Sequence, residues 1–180
     1  MTAIDPTIIP DDKDWTWTLE RPCPDCGFAA GEVAGSEVAA RVRDLTAPWV
    51  EVLARADVRE RPAPGVWSAL EYAAHVRDVC RLFRERLALM LDEDEPRFAN
   101  WDQDVTAVEG AYAAQDPAVV AGELAAAASS WSDLYAGVSG TQWGRPGIRS
   151  NGSTFTVLTL GRYGLHDLAH HLWDVGARTA

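Results

Sequence analysis

Apolar residues recur at three- and four-residue spacing in four long stretches of this chain, a period that belongs to helices packed on one face. The stretch after Trp67 shows it most fully, with Leu70, Ala73, Ala74, Val79, Leu82, Phe83, Leu87 and Met90 on one stripe. Ser68 and Glu71 form a Ser-x-x-Glu capping box that starts this helix, and Trp67 just before it is placed to act as a hydrophobic staple. Residues 33–57 carry another stripe, Val38, Val42, Leu45, Trp49, Val52 and Leu53, which Pro48 should kink or divide. Asp116 as N-cap and Pro117 as first helical residue open a third helix that runs through Val119, Val120, Leu124, Ala127, Ala128, Trp131, Leu134 and Tyr135 and ends near Gly137 to Gly140. Ser153 caps a fourth, with core contacts from Phe155, Leu158, Leu165, Leu168, Leu172 and Val175, ending at Gly176. No convincing sheet is apparent. The expected fold is all-α: a four-helix bundle over residues 33–180, preceded by an irregular N-terminal arm over residues 1–32.

Charge and hydropathy narrow the function classes. With 27 acidic and 16 basic residues the net charge is −11, which argues against nucleic acid or an anionic membrane as partner, since both need basic surface. No apolar run is long enough for a membrane span. Met1-Thr-Ala-Ile-Asp-Pro6 has neither the basic start nor the apolar centre of a signal peptide. Three cysteines are too few for a disulfide scaffold, and a reducing cytoplasm is the expected location.

The four histidines are confined to two of the helical stretches: His75 in the second, and His166, His170 and His171 in the last. His166 and His170 are four apart, so they share one face and can bind one divalent ion through their ring nitrogens. His171 lies about 140° around the helix from His166 and is read as a neighbour, not a ligand. His75 is then the histidine left to supply a third imidazole. Three imidazoles with an open position are the pattern of a catalytic metal site, and they suit zinc, nickel, copper or iron. Glu71 and Asp78 lie one turn before and after His75, where either could orient it or act as a base. Capping alone would explain Glu71, and an arginine partner would explain Asp78.

Other residues carry weaker signals. Asp5, Asp11, Asp12 and Asp14, with Pro6 and Pro10, read as a loose acidic arm. Trp15-Thr-Trp-Thr-Leu19 alternates, as a short extended segment packed across the helices or laid on a partner subunit would. Cys23-Pro-Asp-Cys26-Gly is open to three readings: a tight turn, a reversible disulfide, or part of a metal site, with no second Cys-x-x-Cys to complete one. Asn100 to Asp104, polar and aromatic together, could line a pocket mouth. Arg145 and Arg149, in the loop before the last helix, could receive an anionic substrate or be ordinary loop charges.

Trp67-Ser-x-x-Glu-Tyr-x-x-His75 in the second helix, with Gly152-x-x-x-Thr156 and His166-Asp-x-x-His170-His171 at the last, resembles the DinB/YfiT-like family of metalloenzymes. The resemblance covers roughly residues 35–176, and the Cys-Pro-x-Cys-Gly-Phe segment resembles an extension seen in actinobacterial members. It implies a four-helix bundle of the DinB/YfiT-like type with an unusual connection order. It also implies a divalent ion (zinc or nickel, or iron) on His75, His166 and His170, and a homodimer. Members of the wider family include thiol transferases that use mycothiol or bacillithiol, and the mycothiol-dependent maleylpyruvate isomerases form a related branch. This chain carries Asp167 and Asp174 where family members often carry Glu and Gln.

The expected function is therefore a metal-dependent S-transferase. A low-molecular-weight thiol of the mycothiol type would be the cosubstrate and an electrophile its target. Glu71, Asp78 or Asp167 would take the proton, and Arg145 and Arg149 would bind the substrate. The alternative is a non-catalytic metal-stabilised bundle or small-ligand sensor. A metalloprotease reading of His166-Asp-Leu-Ala-His170 is weak, because Asp is one methylene short of the required Glu.

Overall fold

The computed structural model describes residues 14–177. The acidic positions Asp5, Asp11 and Asp12, with Pro6 and Pro10, lie outside them. Six α-helices follow in order: α1 (Gly35–Thr46), α2 (Trp49–Leu53), α3 (Ala69–Asp92), α4 (Gln103–Glu109), α5 (Pro117–Ala136) and α6 (Val157–Asp174). Two short strands, β1 (Pro146–Ile148) and β2 (Thr154–Thr156), form an antiparallel hairpin just before α6.

Local chemistry accounts for the helix starts. The Ser68 N–H donates to Glu71 Oε2 at 2.8 Å and the Glu71 N–H donates to Ser68 Oγ at 3.3 Å, closing the capping box at the start of α3. Trp67 packs edge-on against Tyr72 with ring centroids 5.5 Å apart, which completes the staple. Asp116 Oδ1 accepts from the Ala118 N–H at 2.8 Å and begins α5. Pro48 ends α1 and serves as the N-cap of α2.

The long helices α1, α3, α5 and α6 make the bundle. Both α1 and α3 pack on α5 and on α6. The sequence-adjacent pair α1 and α3 therefore lies on one diagonal and α5 and α6 on the other, so the bundle is not a simple up-and-down array of neighbours. Trp49, Leu70, Leu87, Met90, Trp131, Tyr135, Leu160, Leu165 and Leu168 fill the centre and are essentially inaccessible to water. Burying side chains of this size is worth roughly 1.5–3 kcal/mol each before the ordering cost. Glycine lets α6 approach the core closely: a Cβ on Gly164 would lie 2.8 Å from Phe83 and 2.8 Å from Trp131.

Three sequence expectations change. The cap of α6 is Thr156, whose Oγ1 accepts from the Thr159 N–H at 3.1 Å, because residues 154–156 pair as a strand before the helix begins. Trp15-Thr-Trp-Thr-Leu19 is not extended, since Thr16–Leu19 form a 3-10 turn, and this segment packs on α6 of its own chain. The connection after α3 contains a helix of its own, α4, capped by Asp102.

Candidate metal centre and cavity

The last helix presents two adjacent i,i+4 pairs. His166 and His170 share one face, and Asp167 and His171 share the next, about 100° further round. The two faces meet different parts of the chain. On one, the ligand atoms of His75, Asp167 and His171 lie within 4.8 Å of one another. On the other, those of Cys23, Cys26, His166 and His170 do the same. The structure thus pairs His75 with Asp167 and His171, and not with His166 and His170.

His75 is buried from water completely, under Trp67 and a stacked Trp101 whose ring centroid lies 5.3 Å away. Its Nε2 is 3.5 Å from Asp167 Oδ1, and neither ring nitrogen makes a hydrogen bond. Asp167 Oδ1 is likewise without a hydrogen bond and lies 3.5 Å from His171 Nε2. Asp174 Oδ2 sits 2.8 Å from His171 Nδ1, so the other nitrogen of that ring faces the group. Buried imidazole and carboxylate atoms without hydrogen-bond partners are costly. Their convergence on one point, with a carboxylate behind one imidazole, fits a divalent cation.

The electrostatics favour the ligating forms. Burial lowers the His75 pKa and outweighs the pull of Asp167 in the other direction. Burial, with His170 close by, pushes His166 down to about 4. Burial raises the Asp167 carboxyl, but His171 and His75 outweigh it and hold the group at about 2. Near neutral pH His75 and His166 are thus neutral imidazoles and Asp167 is an ionised carboxylate, the forms a metal binds.

A cavity of about 470 Å³ opens beside this group. Asp167, His171, His166 and His170 reach its wall from α6, and Trp15, Trp101 and Tyr163 supply aromatic surface. Asn100 to Asp104 line it, as the composition of that stretch anticipated. Two cations also line it, Arg86 and Arg149. Arg86 is 8% exposed. Among the described residues it makes no ion pair, and its Nε lacks any hydrogen bond. Burial, with Arg149 nearby, lowers its pKa to about 10.

The other sequence candidates lie elsewhere. The Glu71 carboxylate is held by Arg61, whose Nε donates at 3.0 Å, and by Ser68. Asp78 accepts from Arg77, Arg81 and the Tyr112 hydroxyl. Neither lines the cavity. Arg145 donates to the Met90 and Glu93 carbonyls at the C-terminal end of α3, so it caps that helix while Arg149 faces the cavity. His171, set aside in the sequence as a neighbour, falls within the group. The signal that would have found it is its four-residue spacing from Asp167.

These features define a helical bundle with a group of residues that could hold a cation at the wall of a cavity of small-molecule size. The DinB superfamily model matches residues 39–175, and the chain belongs to that superfamily. A solved structure, YfiT from Bacillus subtilis, matches with a TM-score of 0.61 at 18% identity, covering 96% of this chain and 92% of that one. It is described as a probable metal-dependent hydrolase with an unusual four-helix bundle topology. No curated protein matches the sequence. Among the described residues, no helix is long and apolar enough to cross a membrane.

Proposed function

We propose that this protein is a metal-dependent enzyme that brings a low-molecular-weight thiol, of the mycothiol type, to a small anionic electrophile. The observation that carries this reading is the convergence of His75, Asp167 and His171 at the wall of a cavity large enough for a small molecule. These three residues would hold the ion, for which imidazole and carboxylate donors suit zinc, nickel or iron. When bound, the ion lowers the pKa of a coordinated thiol or water and so supplies a nucleophile near neutral pH.

The chain's own groups do the rest. Asp174 fixes the ring of His171. Trp67 and Trp101 seal His75 from water. Arg86 and Arg149 would receive a carboxylate, sulfonate or phosphate on the electrophile, and Trp15 and Tyr163 would flank its body. The test is to incubate metal-loaded protein with a thiol and a small anionic electrophile such as 4-chloro-3-nitrobenzoate. Thioether formation above the His171→Ala background supports the reading. No rate above that background, across several thiols, overturns it.

A second reading is hydrolysis, favoured by the description of the Bacillus subtilis structure as a probable metal-dependent hydrolase. The same residues would then deliver water. Ester or amide cleavage without added thiol would select it.

A further inference from the structure

The Cys23-Pro-Asp-Cys26-Gly segment and the His166-x-x-x-His170 pair have no role in the reading above, yet they meet. Their four ligand atoms lie within 4.8 Å of one another, with Cys23 Sγ 3.6 Å from His170 Nδ1. Around a tetrahedral zinc ion, metal–ligand lengths of about 2.0–2.3 Å place neighbouring donors at comparable separations.

The backbone of the cysteine segment is folded for the purpose. The Gly27 N–H donates to the Cys23 carbonyl at 2.9 Å, and Gly27 has φ +74°, a conformation that glycine adopts without strain. The Cys23 N–H donates to the Phe28 carbonyl at 3.1 Å. The turn therefore presents both thiols on one side. Both are free and not joined in a disulfide, and Cys23 is 1% exposed. Opposite them, His166 Nε2 is buried without a hydrogen bond.

We propose that Cys23, Cys26, His166 and His170 form a second, structural metal site that takes zinc and pins the N-terminal segment to α6. Two thiolates and two imidazoles are a closed zinc donor set, with no position left for substrate. Binding releases the two thiol protons and contributes directly to folding of the segment it ties down. That segment carries Trp15, whose ring centroid lies 5.5 Å from that of His166 and 5.1 Å from that of His170, and which forms part of the cavity wall. The structural ion would thereby complete the cavity without taking part in its chemistry.

Cobalt(II) titration of metal-free, reduced protein tests this, because thiolate ligation gives an intense charge-transfer absorption that imidazole and carboxylate ligation do not. The expected result is a band that saturates near one ion per chain, disappears in Cys23→Ser/Cys26→Ser, weakens and shifts in His170→Ala, and persists in His75→Ala. Hydrogen exchange in residues 15–33 should accelerate at least tenfold when a chelator strips the wild-type protein. A wild-type protein with no charge-transfer band overturns the proposal whatever the variants do. So does a band indifferent to His170→Ala, or a thiol titration showing Cys23 and Cys26 oxidised to a disulfide in the protein as isolated. Loss of the band in His75→Ala would mean that the two groups form a single site, and would overturn the assignment of a separate one.

Discussion

Asp174 Oδ2 lies 2.8 Å from Nδ1 of His171, one turn further along the same helix. The carboxylate selects the tautomer of the imidazole and leaves Nε2 facing Asp167 Oδ1 at 3.5 Å. Metal-binding imidazoles depend on such a partner, whose loss typically costs about 10–100-fold in metal affinity. Asp174→Asn should therefore weaken zinc or nickel binding by about that factor while leaving the helical circular dichroism unchanged. Competition against a chromophoric chelator, with Cys23 and Cys26 both replaced by Ser, reads the affinity directly, and an unchanged affinity would show that the Asp174 carboxylate does not tune a metal ligand.

Arg86 is buried beside the cavity with no acidic partner among the described residues. Its guanidinium lies over the Phe83 and Phe98 rings and donates to the Ala99 carbonyl at 3.4 Å, but a buried cation without a carboxylate partner remains an expense to the fold unless something anionic visits it. Arg86→Met should thus leave the melting temperature equal or higher. It should also lower affinity for anionic ligands about tenfold or more, as expected for loss of a charge-assisted hydrogen bond. A thermal-shift screen of carboxylates, sulfonates and phosphates, run on both proteins, measures the two effects together.

The ion pair between Glu71 and Arg61 belongs to stability and not to the site. Burial raises the Glu71 carboxyl, but its bonds to Arg61 and Ser68 outweigh this and hold it below the ordinary value of 4.5. A depressed folded pKa means that the unfolded chain takes up the proton first. The stabilisation is therefore fully present above about pH 4.5 and is lost as pH falls through the depressed value. Glu71→Gln should cost roughly 1–3 kcal/mol at pH 7. In urea melts the gap to the parent protein should shrink steadily below pH 4.5.

Gly164 marks where α6 crosses Phe83 of α3 and Trp131 of α5, with room for no Cβ. Gly164→Ala raises helix propensity by up to about 1 kcal/mol, yet overpacking at this contact should outweigh it and destabilise by about 1–3 kcal/mol net. A chemical melt of the single variant decides the sign, and a gain in stability would mean that the helices part more easily than their packing implies.

The bundle was largely legible in the sequence because its helices declare their own boundaries. Ser68 and Glu71, Asp116 and Pro117, and Pro48 are short-range signals that do not depend on tertiary partners. Position within the site was harder to read. Periodicity correctly put His166 and His170 on one face of α6. It could not say which neighbour that face would meet, because that depends on how α6 is rotated against α3 and the N-terminal arm. The same spacing joins Asp167 to His171, and it is this pair that faces His75. Cys23 and Cys26 have no second Cys-x-x-Cys in the sequence, and the groups they meet, His166 and His170, lie far along the chain and are brought near only by folding. Ser153 was a plausible cap, but strand pairing up to Thr156 delays the helix by three residues.

The most direct test of the central claim is metal content by elemental analysis in a Cys23→Ser/Cys26→Ser background, where neither thiolate is left to hold an ion. Protein purified without an affinity tag or chelator, then loaded with zinc or nickel and desalted, should retain roughly one ion per chain, as a single mononuclear site requires. Adding His75→Ala or His171→Ala should abolish that retention. An ion kept at the parental level in both variants would contradict the assignment of His75, Asp167 and His171 as its ligands.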